Sequence, residues 1–106
     1  MLNNRLEQLL DLLEDDPNDP FNLYAVAIEY KGTEPIKSIP FFDKLLQNHP
    51  EYLPGYYHAA ALYAEFSDNE KAIALYQQGI SLAIKQQNQH ALRELNNAMN
   101  ELILEE

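Results

Sequence analysis

Apolar residues recur at helical spacing almost from the first residue. Leu2, Leu6, Leu9, Leu10 and Leu13 fall on one face of a helix running from Leu2 to Glu14, and Leu12 widens that face. Asp15-Asp16-Pro17-Asn18-Asp19-Pro20 stops it, because each proline pushes the residue before it out of the helical region, and Asp19 is placed to cap a second helix. Phe21 to Lys31 has few polar residues, and a helix apolar almost all round packs on two sides. Gly32 is expected to end it and Thr33 to cap a third helix, with Pro35 in the first turn, where its missing N–H costs nothing. That third helix should reach about Gln47 or Asn48. Pro40 conflicts with it, since an interior proline removes a backbone bond and clashes with the preceding turn. Either the regular helix starts late, near Ser38, or it is kinked there.

Pro50 marks the next break, and Pro54 fits the first turn of a fourth helix ending near Phe66. Ser67-Asp68-Asn69-Glu70 has the form of a capping box ahead of a fifth helix, from Asn69 to about Gln87. Asn88-Gln89-His90 reads as a polar turn. Leu92, Leu95, Met99 and Leu102 then form a narrow apolar stripe on a last helix. No segment shows the alternation of a strand. The pattern predicts an all-α chain of about six helices joined by short turns.

The helices repeat. Tyr30 and Tyr63, Ala27 and Ala60, and Pro17 and Pro50 are each about 33 residues apart, and Phe42 and Tyr76 about 34, the period of a helix-pair repeat. Leu23, Val26, Ala27 and Tyr30 recur as Tyr56, Ala59, Ala60 and Tyr63. Ser38, Phe42 and Leu45, followed by Pro50, recur as Ala72, Tyr76 and Gly79. Two helices approach closely only where a small side chain sits at the crossing, a role for Ala27, Ala60, Ala72 and Gly79. Tyr30, Phe42, Tyr63 and Tyr76 would fill the gaps between helices as core.

These residues resemble the tetratricopeptide repeat family over roughly residues 5 to 84. The resemblance implies antiparallel helix-pair repeats in a single domain, 1–106. It divides into an N-terminal half-repeat helix (1–16), two repeats (19–50 and 51–87) and a C-terminal capping helix (89–105) with Asn96, Asn97, Asn100 and Glu101 as its polar outer face. There are departures: the tryptophan place holds Leu23 or Tyr56, the glycine place holds alanine, and Ile84 replaces the second closing proline. Sel1-type and half-a-TPR-type repeats remain neighbouring readings.

In that family the opening helix of each repeat lines a concave surface. The resemblance places Tyr24 and Ile28, Tyr57 and Ala61, and Arg93 and Asn97 in the groove, with His58 beside them. Relatives that clamp the acidic tail of heat-shock proteins carry a lysine and an asparagine where this chain has Tyr24 and Ile28, so that clamp is absent. The groove is apolar and tyrosine-rich, which suits a hydrophobic or helical segment of a partner. The expected function is a protein-protein interaction module holding a peptide or partner protein. The alternative is a structural homodimer in which the groove or the terminal stripe pairs two copies.

Composition narrows the chemistry. The chain has 106 residues, one domain's worth, and 46% of them are hydrophobic, ordinary for a folded domain. Its net charge is −10, and its lysines and arginines form no cluster, which disfavours nucleic acid and anionic membranes as partners. Glu7 and Asp11 interrupt the leucines near the start, unlike a signal peptide, and no stretch is apolar enough to span a bilayer. With no cysteine, a cytoplasmic setting is expected. His49, His58 and His90 lie in different segments, which predicts no metal site. Ser38, Ser67 and Ser81 read as a close-packing residue, a cap and a helix-surface residue. No glycine-rich loop follows a strand, so neither a cofactor nor an enzymatic activity is expected.

Overall fold

The computed structural model describes residues 4–105. Leu2, which the pattern adds to the first apolar face, lies outside them. The described residues form α1 (Asn4–Asp15), α2 (Pro20–Thr33), α3 (Pro35–Asn48), α4 (Leu53–Glu65), α5 (Asn69–Lys85) and α6 (Gln89–Glu105), with no strand among them. They fall into two compact units. One carries α1 to α3 and ends at Tyr52, and the other carries α4 to α6 and begins at Leu53.

In the first unit α2 packs against both α1 and α3, as a helix with so few polar residues must. Leu23, Val26, Ala27 and Tyr30 are its buried residues. Leu6 of α1 joins Val26 and Tyr30 in a cluster flanked by Leu9, Leu10, Leu13 and Phe41. Tyr30 stacks on Phe41 with ring centroids 5.5 Å apart. Leu12 does not widen this face; it is 51% exposed. From α3, Phe42, Leu45 and Ser38 are fully buried. Burying side chains of the size of the first two contributes about 1.5–3 kcal/mol each. The Ser38 hydroxyl donates to the Pro35 carbonyl at 2.5 Å, so its burial leaves no orphan. The turn before α2 is held from both sides. Asp19 accepts from the Asn22 amide at 2.9 Å, as its position predicts. His49, just past α3, meets the Asn18 carbonyl through Nε2 at 2.7 Å.

Three local expectations change here. α2 runs through Gly32 to Thr33 instead of ending at the glycine. Thr33 does not cap α3; its hydroxyl donates back to the Glu29 carbonyl at 3.1 Å, within its own helix. Glu34 takes the cap position without a side-chain bond to the backbone, and its carboxylate pairs with Lys37 at 2.6 Å. Third, the late start near Ser38 is excluded: α3 begins at Pro35 and continues through Pro40. The proline deprives only the Ile36 carbonyl of its helical donor, and Ile36 is 69% exposed, where water can take that place.

In the second unit α5 packs against α4 and α6, and α4 also touches α6. Gly79 marks a close approach: a Cβ added there would lie 2.9 Å from Tyr56 Cβ and 3.1 Å from a Leu95 methyl. Ala60, Ala72 and Ala83 are fully buried in this unit, as is Leu62. The two turns share one geometry. Ser67 and Gln87 adopt left-handed φ values of 63° and 58°. The amides after them, of Asp68 and Asn88, reach back to the carbonyls of Tyr63 and Ala83 at 2.9 Å each, which closes the preceding helix in a Schellman turn.

The same two residues then cap the next helix. Asp68 accepts from the Lys71 amide at 3.2 Å and Asn88 from the Ala91 amide at 3.0 Å. The cap of α5 is therefore Asp68 and not Ser67, whose left-handed backbone serves the helix before. Gln89 and His90, expected in a turn, begin α6. Tyr63 is half-buried rather than core, with the Lys71 ammonium 4.8 Å above its ring. The outer side of α6 is polar at Asn97, Asn100 and Glu101, but Ile103 and Leu104 stand 44% and 85% exposed at its end.

Candidate functional site

The residues expected to line a groove lie in both units. In the first, Tyr24 and Ile28 are one helical turn apart on α2, both half-buried. Tyr24 rests against Tyr52, ring centroids 5.3 Å apart at 52°. Burial, and then the neighbouring Tyr52, raises the Tyr24 phenol above its usual pKa. Burial also raises Tyr52, with Asp19 adding to it. The expected groove set does not include Tyr52. It lies outside any helix and so outside the helical periodicity that selects them.

In the second unit, Tyr57 and Ala61 share a face of α4, both half-buried. Tyr57 stands edge-on between two rings, His58 at 5.4 Å and 79° and Tyr76 at 6.3 Å and 73°. His58 is thus joined directly to the expected set. Arg93 and Asn97 are exposed, one turn apart on α6. Arg93 has no ion-pair partner among the described residues. Glu101 continues their stripe one turn further on and also lacks an ion pair among the described residues.

Tyr76 has a role beyond its expected place in the core. Its side chain is buried, at 4% exposure. Burial is the main cause that pushes its phenol up to about 12, and Tyr57 and the Glu101 carboxylate add to the shift. Tyr76 of α5 thus meets Tyr57 of α4, and the charge of Glu101 on α6 acts on it. Among the described residues no side-chain nitrogen or oxygen is buried without a partner, and Tyr76 makes no hydrogen bond. Its hydroxyl must then reach solvent.

The first unit also holds a cleft of about 380 Å³ between Leu10 and Leu13 of α1 and Pro40 and Phe41 of α3, floored by Leu23, with Glu14 and Lys44 beside it. No group of three or more metal-ligating side chains occurs among the described residues. None of their helices is long and apolar enough to cross a membrane.

No family model matches this chain, and no curated protein sequence matches it. Solved structures do. The crystal structure of a tetratricopeptide repeat domain protein from Salinibacter ruber is similar at 34% identity and a TM-score of 0.78, over 83% of this chain and 99% of that one. The chain belongs to the tetratricopeptide repeat family. The solution structure of a tetratricopeptide repeat domain protein from the same organism agrees, at 35% identity and a TM-score of 0.76, over 82% and 89% of the two chains. The crystal structure of MamA shares the fold alone, at 15% identity and a TM-score of 0.66, over 92% of this repeat chain and 64% of that one.

Helix-pair repeats generally present extended binding surfaces to other proteins. In each unit of this tetratricopeptide repeat chain, a half-buried tyrosine, Tyr24 or Tyr57, packs against another aromatic ring.

Proposed function

We propose that this chain is a protein-interaction module that takes a peptide or partner protein on its tyrosine-bearing faces, α2 in the first unit and α4 with α6 in the second. One observation carries the reading. Tyr24 and Tyr57 are half-buried and each ring is held by another aromatic, Tyr52 in one case and His58 and Tyr76 in the other. A ring held this way loses little conformational entropy on binding, and tyrosine combines an apolar body with a polar tip. The family likeness supports the same class of function, with a peptide or a folded partner as its object.

The test is a random peptide library displayed on phage and selected against the folded chain. Selected peptides, made synthetically, should shift the amide resonances of Tyr24, Ile28, Tyr57, Ala61, Arg93 and Asn97. Tyr57→Ala should weaken binding about tenfold, or about 1.4 kcal/mol, with an unchanged helical spectrum. Shifts confined to other surfaces, or affinity indifferent to Tyr57, would reject the reading.

The exposed Ile103 and Leu104 favour a second reading, in which two copies pair through the end of α6. Light scattering over a concentration series separates the two. A dimer lost in Leu104→Ser, with no peptide bound, would replace the first reading.

A further inference from the structure

We propose that the face formed by α4 and α6 accepts a basic side chain of the partner, a lysine ammonium or an arginine guanidinium, between Tyr57, Tyr76 and Glu101. The inference rests on the interaction reading above and specifies the chemistry of its partner. Three groups bear on this face, one from each helix of the unit, each with capacity for a cation. Tyr57 is half-buried, so part of its ring stays open beside Tyr76, and a phenol ring attracts a cation through the negative potential of its face. The Tyr76 ring is almost wholly enclosed, and its hydroxyl has no hydrogen-bond partner among the described residues and reaches solvent. An oxygen fixed in place by a buried ring and open to solvent is a preorganised acceptor. Glu101 is exposed and makes no ion pair among the described residues. Glu101 lies on α6, which packs on α5 through Leu95 against Gly79 and touches α4, and its charge acts on the Tyr76 phenol.

The other charges of the unit leave this position negative. Lys71 lies over Tyr63. Arg93 precedes Glu101 by two helical turns, roughly 12 Å along α6. The two form no ion pair. The chain as a whole carries −10. A carboxylate placed here would meet Glu101 and the negative ring faces. An aliphatic side chain would leave the Tyr76 hydroxyl and the Glu101 carboxylate unmatched. A cation satisfies all three groups.

The test uses the full chain, isotopically labelled, titrated with the acetylated and amidated peptide Gly-Ala-Lys-Ala-Gly and with its counterpart carrying norleucine for lysine. The lysine peptide should give saturable shifts at Tyr57, Tyr76 and Glu101, and the norleucine peptide should bind about fivefold more weakly. Glu101→Gln, a surface change with no ion pair to break, should erase that preference without moving the melting temperature. Equal affinity for the two peptides, absence of saturable shifts, or a preference that survives Glu101→Gln would each overturn the cation site. Library peptides that bind through Tyr57 without a recurring lysine or arginine would also overturn it, and would leave the interaction reading standing.

Discussion

Gly32 and Gly79 both sit inside helices, and neither has a positive φ. Their surroundings give them opposite roles. Nothing lies within 4 Å of a Cβ added at Gly32. Gly32→Ala is therefore expected to raise stability by about 0.5–1 kcal/mol, through helix propensity and a less flexible unfolded chain. At Gly79 the added Cβ would meet Tyr56 Cβ at 2.9 Å, an atom fixed to the α4 backbone that cannot turn away. Gly79→Ala is expected to destabilise by about 1–3 kcal/mol despite the same gain in propensity. Thermal melts of both variants, followed by circular dichroism, check the two signs together. The repeat register marked Gly79 as a small-residue place. It could not grade the need, because the same place in the first repeat holds Leu45, also fully buried. Nor could it foresee that Ser67 and Gln87 take the left-handed turn positions, where glycine or asparagine is the usual choice.

At the scale of elements, α6 is expected to act as a cover. Leu95 is its one buried residue and presses on Gly79, while Leu92, Met99 and Leu102 are half-buried along the same stripe. Cutting the chain after Gln87 would uncover Gly79 and Tyr76 on α5. The shortened protein is expected to stay helical but to aggregate or to bind a hydrophobic dye. If it stays soluble, monomeric and as stable as the full chain, α6 is an arm and not a cover. α3 shows the reverse balance between local signal and packing. Pro40 is legible as a helix breaker, yet the helix passes through it. The lost bond falls at exposed Ile36, while Phe42 and Leu45 further along are fully buried in a helix packed against α2.

For the molecule as a whole, the tyrosines set the response to alkali. The Tyr76 phenol is pushed up to about 12 by burial, and Tyr24 and Tyr52 are raised for the same reason. A folded-state pKa above the unfolded value of about 10 means the neutral form is favoured in the fold. That stability is complete below pH 10 and is lost as the pH rises through about 12. Denaturant midpoints should fall across this window, by on the order of 2 kcal/mol from Tyr76 alone. Added repulsion in a chain already at −10 acts in the same direction. Absorbance titration should resolve a late-ionising tyrosine, absent in Tyr76→Phe. A flat midpoint from pH 9 to 12 would contradict the burial of that phenol.

Local spacing by itself determined the helices, their approximate ends and the repeat, since each depends on residues only a few positions apart and on a period written along one chain. It also pointed to the family, because small and aromatic positions recur together in Val26-Ala27-Tyr30 and Ala59-Ala60-Tyr63, and the likeness to solved repeat structures then established it. The tertiary structure alone decided which side chains meet. Tyr24 finds Tyr52, and Tyr57 finds Tyr76 beside Glu101, because helix crossings bring distant positions together. Those crossings are set by the volumes that meet at contacts such as Gly79 with Tyr56 and Leu95, and no periodicity encodes a volume on another helix.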